Sequence, residues 1–416
     1  MRKGPHALPS TTFFVFPSVP ARLDGLRGNA RMSATAAIST SRSAVSRPDI
    51  AVLGGGLSGR LLAWQLIRAG ARVALYERGD ADGSSAAGWV AAAMLAPLAE
   101  AAVAEPSIVE MGAVGLERWP ALIDGLPEHV FFQRNGTLVV WHQPDRAEAV
   151  MFDRRMRANA PPELLRGGVE RISAAQLKDV EPALAGRFQE GWLLPNEGQL
   201  DNRQLLRALA AGLAKAGADL HWNTAIAEGE YPDAGLVIDC RGLGAREALT
   251  QLRGVRGEVV RIHAPGIGLR RPVRLLHPRY PIYIAPKEND LYVIGATELE
   301  SEDMSPMTVR SALELLSAAH SLNPAFGEAR IVELNVNCRP ALPDHLPRVQ
   351  WDGARLLRVN GLYRHGYLLA PAVTGEACAL AQALMQTKGA PSGSADAFDW
   401  ETWRASRPWP ELFRQA

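Results

Sequence analysis

A chain of 416 residues, 47% hydrophobic and 21% charged, has the make-up of a globular protein with room for two domains. Its formal net charge of +1 and the lack of a basic tract with interleaved aromatics exclude nucleic acid as the expected partner. Cys240, Cys338 and Cys378 lie far apart with no C-x-x-C pair, which argues against a disulfide framework or zinc knuckle and fits a reducing, cytoplasmic setting.

Residues 1–48 read as a leader, disordered or non-native, rich in Pro, Ser and Arg, with Asp24 the only acid before Asp49. Its one apolar patch, Phe13 to Phe16, is too short for a secretory signal. A transit peptide, or an upstream tail with Met32 as the working initiator, are the other readings. No apolar run of the roughly 18–20 residues that span a bilayer stands out, so no membrane span is expected.

Ordered pattern begins at Asp49 with a short strand that ends in glycine. Leu57 to Ala69 follows at helical spacing, with Leu62, Leu66 and Ala69 on one stripe and Leu61 beside it. Gly70 stops that helix and Arg72 to Tyr76 makes a second strand, completing a β-α-β unit with a right-handed crossover. Phe131 to His142 reads as a hairpin turning at Asn135-Gly136. Asn202 to Lys215 is an amphipathic helix capped by Asp201, with Leu205, Leu206, Leu209 and Leu213 inward. A strand at Gly235 to Asp239 enters the glycines Gly242 and Gly244. Arg256 to His263, Pro281 to Ala285 and Leu291 to Gly295 read as antiparallel strands, and Met307 to Leu322 as a helix. Leu356 to Val359 is a last strand entering Gly361, and a closing helix is expected from Pro371.

The pattern implies an α/β chain: a discontinuous Rossmann-like domain with an inserted α+β substrate domain built on an antiparallel sheet. The expected boundaries are 49–120, 190–250 and 335–390 for the first, 121–189 and 251–334 for the second, and 391–416 as a C-terminal tail.

Gly54-Gly55-Gly56-Leu57-Ser58-Gly59 satisfies G-x-G-x-x-G between the first strand and the helix. Gly54 makes the tight turn, Gly56 admits a pyrophosphate, and Gly59 lets helix and sheet pack closely. Glu77, at the end of the second strand, is placed for ribose hydroxyls. The motif indicates a dinucleotide and leaves FAD or NAD open.

Three further segments resemble the D-amino-acid-oxidase and glycine-oxidase family of FAD-dependent oxidoreductases, most closely the glycine oxidases of bacterial thiamine biosynthesis. They are Ser84 to Pro97 (SSAAGWVAAAMLAP), Leu362 to Pro371 (LYRHGYLLAP) and Asn337 to Pro340 followed by Pro343-Asp344. The small-residue run of the first lets backbone amides approach a flat ring, although Ala93 stands where the family usually has glycine. The resemblance implies non-covalent FAD held by Gly54, Gly56, Leu57, Ser58, Gly59, Glu77 and Arg78. Ser84, Ser85, Gly88, Ala92, Ala93 and Met94 would line the ring and pyrophosphate, with Ala225 and Gly242 nearer the adenine. Leu362, Tyr363, Arg364, His365, Gly366, Tyr367 and Leu368 would cover the pyrimidine end, where charge builds on reduction.

For the substrate the resemblance implies Arg339 as the carboxylate anchor, because a guanidinium grips a carboxylate with two parallel hydrogen bonds. Arg364 and Tyr283 are implied as helpers, against the plainer readings of a solvated ion pair and a core tyrosine. Glu298 stands where it would meet a substrate amine if it pointed inward, and is otherwise an exposed loop acid. The implied reaction oxidises the C–N bond of glycine or another small amino acid to an imine, with dioxygen as acceptor yielding hydrogen peroxide. A dehydrogenase passing electrons to a quinone or partner protein is the alternative, and a non-catalytic flavin-binding subunit is the alternative of another class. Homo-oligomerisation is left open.

Overall fold

A computed structural model describes residues 47–388 and 398–415. The expected leader falls almost entirely outside the described residues. The described chain opens with β1 (Ile50–Leu53), α1 (Leu57–Arg68) and β2 (Val73–Tyr76). Next come β3 (Met94–Leu95), α2 (Pro106–Ile123), β4 (Phe132–Gln133), β5 (Thr137–Trp141), β6 (Glu170–Ser173), β7 (Glu190–Leu194) and β8 (Gly198–Leu200). Helix α3 (Asn202–Lys215) leads to β9 (Asp219–His221) and β10 (Leu236–Asp239). There follow β11 (Arg253–His263), β12 (Val273–Leu276), β13 (Ile282–Pro286), β14 (Leu291–Gly295), α4 (Val309–Leu322) and β15 (Arg330–Ala341). The end comprises β16 (Arg348–Trp351), β17 (Leu356–Asn360), α5 (Gly366–Lys388) and β18 (Phe413–Gln415).

The first sheet has the order β18-β16-β17-β10-β1-β2-β9, with β1 parallel to both β2 and β10. Both faces of its centre are buried, as a parallel sheet requires. Ile50, Val52, Ile238 and Leu357 pack with the helices, whereas Ala51, Leu53, Val237 and Leu356 alternate to the opposite face. Helix α3 is capped by the Asp201 carboxylate, which accepts from the Arg203 and Gln204 amides at 2.9 Å. Leu205, Leu206, Leu209 and Leu213 are fully buried, as the spacing predicts. Beyond 398, β18 joins this sheet parallel to β16, so the tail contributes structure.

The second sheet has the order β15-β11-β14-β13-β12-β5-β7-β6, antiparallel except between β12 and β5. Leu315, Ala319 and Leu322 of α4 cover one face. On the other face Val259, Ala285 and Val293 pack against Val90 and Ala92 of the small-residue segment. Residues 190–194, expected with the first domain, are hydrogen-bonded into this second sheet as β7.

The expected hairpin at 131–142 does not form. Gly136 does take a positive φ of 89°, but it steers the chain from one sheet to another. Phe132–Gln133 pairs with β8 in a small third sheet, and Thr137–Trp141 pairs with β7 and β12 in the second. Segment 190–200 supplies an antiparallel partner to each arm, β8 to the first and β7 to the second.

The closing helix begins at Gly366 rather than Pro371. Proline in a helix strips the hydrogen bond to the carbonyl four residues earlier. Here that carbonyl, on Tyr367, accepts instead from Trp119 Nε1 at 3.0 Å, and the helix continues. Helix α5 is also long and apolar enough to cross a membrane by composition alone, which the linear reading overlooked. It is the core helix of this fold, with 72% of its most apolar stretch buried.

Candidate active site

A cavity of about 1010 Å³ runs from the carboxyl ends of β1, β2 and β10 to the face of the second sheet. Gly54, Gly56, Leu57, Ser58, Glu77 and Arg78 line one end. Gly54 has φ 92°, and a Cβ there would lie 2.7 Å from the Cys240 carbonyl carbon. Gly59 does not line the cavity. A Cβ on it would lie 1.8 Å from the Gly54 carbonyl oxygen, so its lack of a side chain seats α1 against the turn. The first-turn amides of α1 face the cavity with no side-chain cap, and an uncapped helix start suits a phosphate. Glu77 accepts from the amides of Gly55 at 2.5 Å and Gly79 at 2.7 Å, fixing the glycine turn relative to β2.

Arg60, which drew no attention in the sequence, is fully buried behind this turn. Its guanidinium donates to the carbonyls of Gly55 at 2.5 Å, Ala81 at 2.7 Å and Leu206 at 2.8 Å. Burial pushes its pKa down to about 10. An arginine inside a helix ordinarily reads as exposed, so only tertiary structure reveals this clamp.

Along the middle of the cavity lie Ser85, Gly88, Ala92, Ala93 and Met94. Ser84 is not among them; its hydroxyl turns to the exposed Asp80 carboxylate at 3.3 Å. Ala93 has a left-handed backbone, with φ 52°, a conformation that glycine adopts freely. The amides of Ala92 and Ala93 donate to no described residue, although both residues are buried against the cavity. Buried amides rarely go unpaired, so this wall suits a planar ligand rich in acceptors. Asn202 supports it from behind, donating to the carbonyls of Gly88 at 2.9 Å and Trp89 at 2.6 Å. Lys287 donates to the Ala92 carbonyl at 2.8 Å and the Leu200 carbonyl at 2.7 Å, and burial lowers its pKa to about 7.

Ala225 and Gly242 line the far end, where Arg241 holds the Ile226 carbonyl at 2.7 Å. Leu362, Tyr363, Arg364, His365, Gly366, Tyr367 and Leu368 close the near end. Because α5 starts at Gly366, a second helix N-terminus, with its positive dipole end, opens on the same cavity. Two helix starts and a row of unpaired amides around one elongated space fit FAD.

Four expected substrate residues, Arg339, Tyr283, Glu298 and Arg364, all line the cavity. Arg339, on β15, donates to the carbonyls of Arg256 at 3.3 Å and Thr297 at 3.1 Å, and forms no ion pair with a described residue. It lies on Gly257, where a Cβ would come within 2.4 Å of its Cζ. Tyr283 lies likewise on Gly295, where a Cβ would meet its hydroxyl at 2.6 Å. Burial raises the Tyr283 pKa, so the hydroxyl stays protonated, and it has no hydrogen-bond partner among the described residues. Gly257 and Gly295 thus form the bed on which both side chains rest. Nothing in the linear sequence marked them.

Arg364 lines the cavity with both terminal nitrogens ion-paired. One terminal nitrogen donates to Glu298 Oε2 at 2.9 Å and the other to Glu100 Oε2 at 2.7 Å. Glu100 is also paired with Arg274 and lies 3.5 Å from His365 Nδ1. Burial alone would raise the Glu100 pKa, but the guanidiniums of Arg364 and Arg274 outweigh it and hold the carboxyl well below the usual range. Burial pushes His365 down to about 4. Glu298 lines the cavity with about half of its side chain exposed, and also accepts from the Tyr363 hydroxyl at 2.5 Å. Between the two expected substrate arginines, Arg339 has no ion pair with a described residue, whereas Arg364 has two.

The family model described as FAD dependent oxidoreductase matches residues 49–380. A protein of Rhizobium etli named thiamine biosynthesis oxidoreductase ThiO is 44% identical over 346 residues, spanning 83% of this chain and 99% of that one. The glycine oxidase of Geobacillus kaustophilus is 27% identical over 352 residues, 78% of this chain and 90% of its own. Its crystal structure superposes with a TM-score of 0.69, covering 81% of this chain and 95% of that one.

Proposed function

Because the chain belongs to the FAD-dependent oxidoreductase family, we propose that it oxidises the C–N bond of glycine or another small amino acid to the imine, serving thiamine thiazole formation. FAD supplies the two-electron acceptor when bound. The residues for it would be the α1 start at Gly56 to Ser58 with Glu77, the Ala92–Ala93 wall, and the Leu362 to Leu368 loop.

One observation carries the substrate assignment: Arg339, with no ion-pair partner among the described residues, lines the same cavity as the Tyr283 hydroxyl, and each rests on a glycine bed. A carboxylate would complete that pair with charge-assisted hydrogen bonds. Arg339 then fixes the substrate's α-carbon, Tyr283 donates to a carboxylate oxygen, and the Gly257 and Gly295 beds set both positions. Orientation of this kind accounts for the catalysis expected of the chain's own side chains. Dioxygen is the proposed acceptor, in keeping with the oxidase relatives. The first sheet with its helices is the proposed FAD domain and the second sheet the substrate domain. The three buried, unpaired thiols support a cytoplasmic setting.

Anaerobic titration of the yellow holoenzyme with glycine, sarcosine and D-alanine tests the reading, and oxygen uptake tests the acceptor. The flavin should bleach, and Arg339→Ala should lower kcat/KM by about a hundredfold or more. A holoenzyme that none of these amino acids reduces would refute it.

A further inference from the structure

We infer that Glu298 is the subsite for the substrate's cationic amine, so that the site selects zwitterions with carboxylate and ammonium on neighbouring atoms. This rests on the amino-acid reading and deepens it.

The segment running from Gly295 to Glu298 is where the cavity's polar groups converge. Tyr283 lies on Gly295, Arg339 donates to the Thr297 carbonyl at 3.1 Å, and Tyr363 and Arg364 hold the Glu298 carboxylate. Arg339 is thereby anchored to the residue preceding Glu298, so a cation and an anion share the cavity wall, close enough for the Arg339 charge to help lower the Glu298 pKa. An α-amino acid carries the complementary pair of charges on adjoining groups.

The carboxylate also has capacity to spare. An ionised carboxyl offers about four lone-pair positions. Tyr363 occupies one through Oε1 and Arg364 one through Oε2. About half the Glu298 side chain remains exposed, at 48%, within the cavity lining. Burial works against its charge, but the Tyr363 hydroxyl and the Arg364 guanidinium outweigh that and hold its pKa below the ordinary value. Such a group binds a cation and is a poor proton acceptor, so the proton that the ammonium must lose before the C–N bond is oxidised goes to solvent water. Arg364 accordingly acts as a positioning residue: braced by Glu100 on one side, it aims Glu298 with the other.

The test pairs glycine with glycolate, in which a neutral hydroxyl replaces the ammonium, on the FAD-loaded enzyme. Removing the charge with Glu298→Gln should raise the KM for glycine by about tenfold to a hundredfold. The Ki for glycolate should stay level or fall, because an anion near an anion is relieved. Glu298→Asp should restore part of the glycine affinity. Flavin content and melting temperature report on folding independently of turnover. If glycine and glycolate weaken together, or if the glycine KM does not move, Glu298 is only a counter-ion of Arg364 and the inference fails. Failure of the underlying reading looks different: wild-type enzyme would then be reduced by no small amino acid.

Discussion

Arg364 Nη2 lies 2.7 Å from Glu100 Oε2, joining the loop before the last long helix to a short helix 264 positions earlier. The contact makes one wall of the cavity from both ends of the chain. It also gives an arginine that the family resemblance implies at the substrate site a largely buried counter-ion.

Replacing Glu100 with Gln leaves Arg364 and Arg274 short of a buried counter-ion, at a cost of roughly 3–5 kcal/mol. Chemical denaturation should show the midpoint fall accordingly. The folded Glu100 carboxyl titrates below its unfolded value. Its stabilisation is therefore complete above about pH 4.3 and lost as pH falls beneath it, a loss the Gln variant should lack. Equal acid sensitivity in both proteins would count against the assignment.

His365 gives a second pH signature in a different window. Its folded pKa is about 4, below the unfolded value of about 6.5. Between these values the unfolded chain binds a proton that the fold refuses, so stability drops as pH falls. His365→Asn should flatten the melting temperature between pH 6.5 and 4, relative to wild type, by removing this group.

Gly59→Ala places a methyl group against the Gly54 carbonyl oxygen, where only 1.8 Å is free. Helix α1 must shift, at a cost of roughly 1–3 kcal/mol or more. The purified variant should carry markedly less flavin, read from visible against ultraviolet absorbance. Full flavin content would show that the turn tolerates the shift.

Ala93→Gly should have the opposite sign. Ala93 holds φ 52°, a conformation that costs a residue with a side chain about 1–2 kcal/mol. Glycine relieves this but brings an unfolded-state entropy penalty of about 0.4–1 kcal/mol, leaving a net gain of up to about 1.6 kcal/mol. A melting temperature below wild type would contradict it.

Local periodicity and turn chemistry made much of this fold legible. The β-α-β unit, the capped helix at Asn202 and the strands around the cavity follow from spacing over a few residues. The nominated site residues also line the cavity, Ser84 and Gly59 apart. What escaped the linear reading depends on partners distant in the chain. Trp119 rescues the helix around Pro371, segment 190–200 draws apart the expected hairpin, and Glu100 captures Arg364. Arg60 and the beds at Gly257 and Gly295 are invisible for the same reason, since their meaning lies in what packs against them.

The pairing of β10 with β17 has a bearing on how the protein is made. β10 is complete at Asp239, yet its outer neighbour is Leu356–Asn360, more than a hundred codons later. During translation that strand edge waits uncovered while five later strands of the second sheet, β11 to β15, emerge, a template for wrong partners. Chaperone demand should therefore peak late in synthesis, and ribosome pausing between these two strands should aggravate aggregation more than pausing elsewhere.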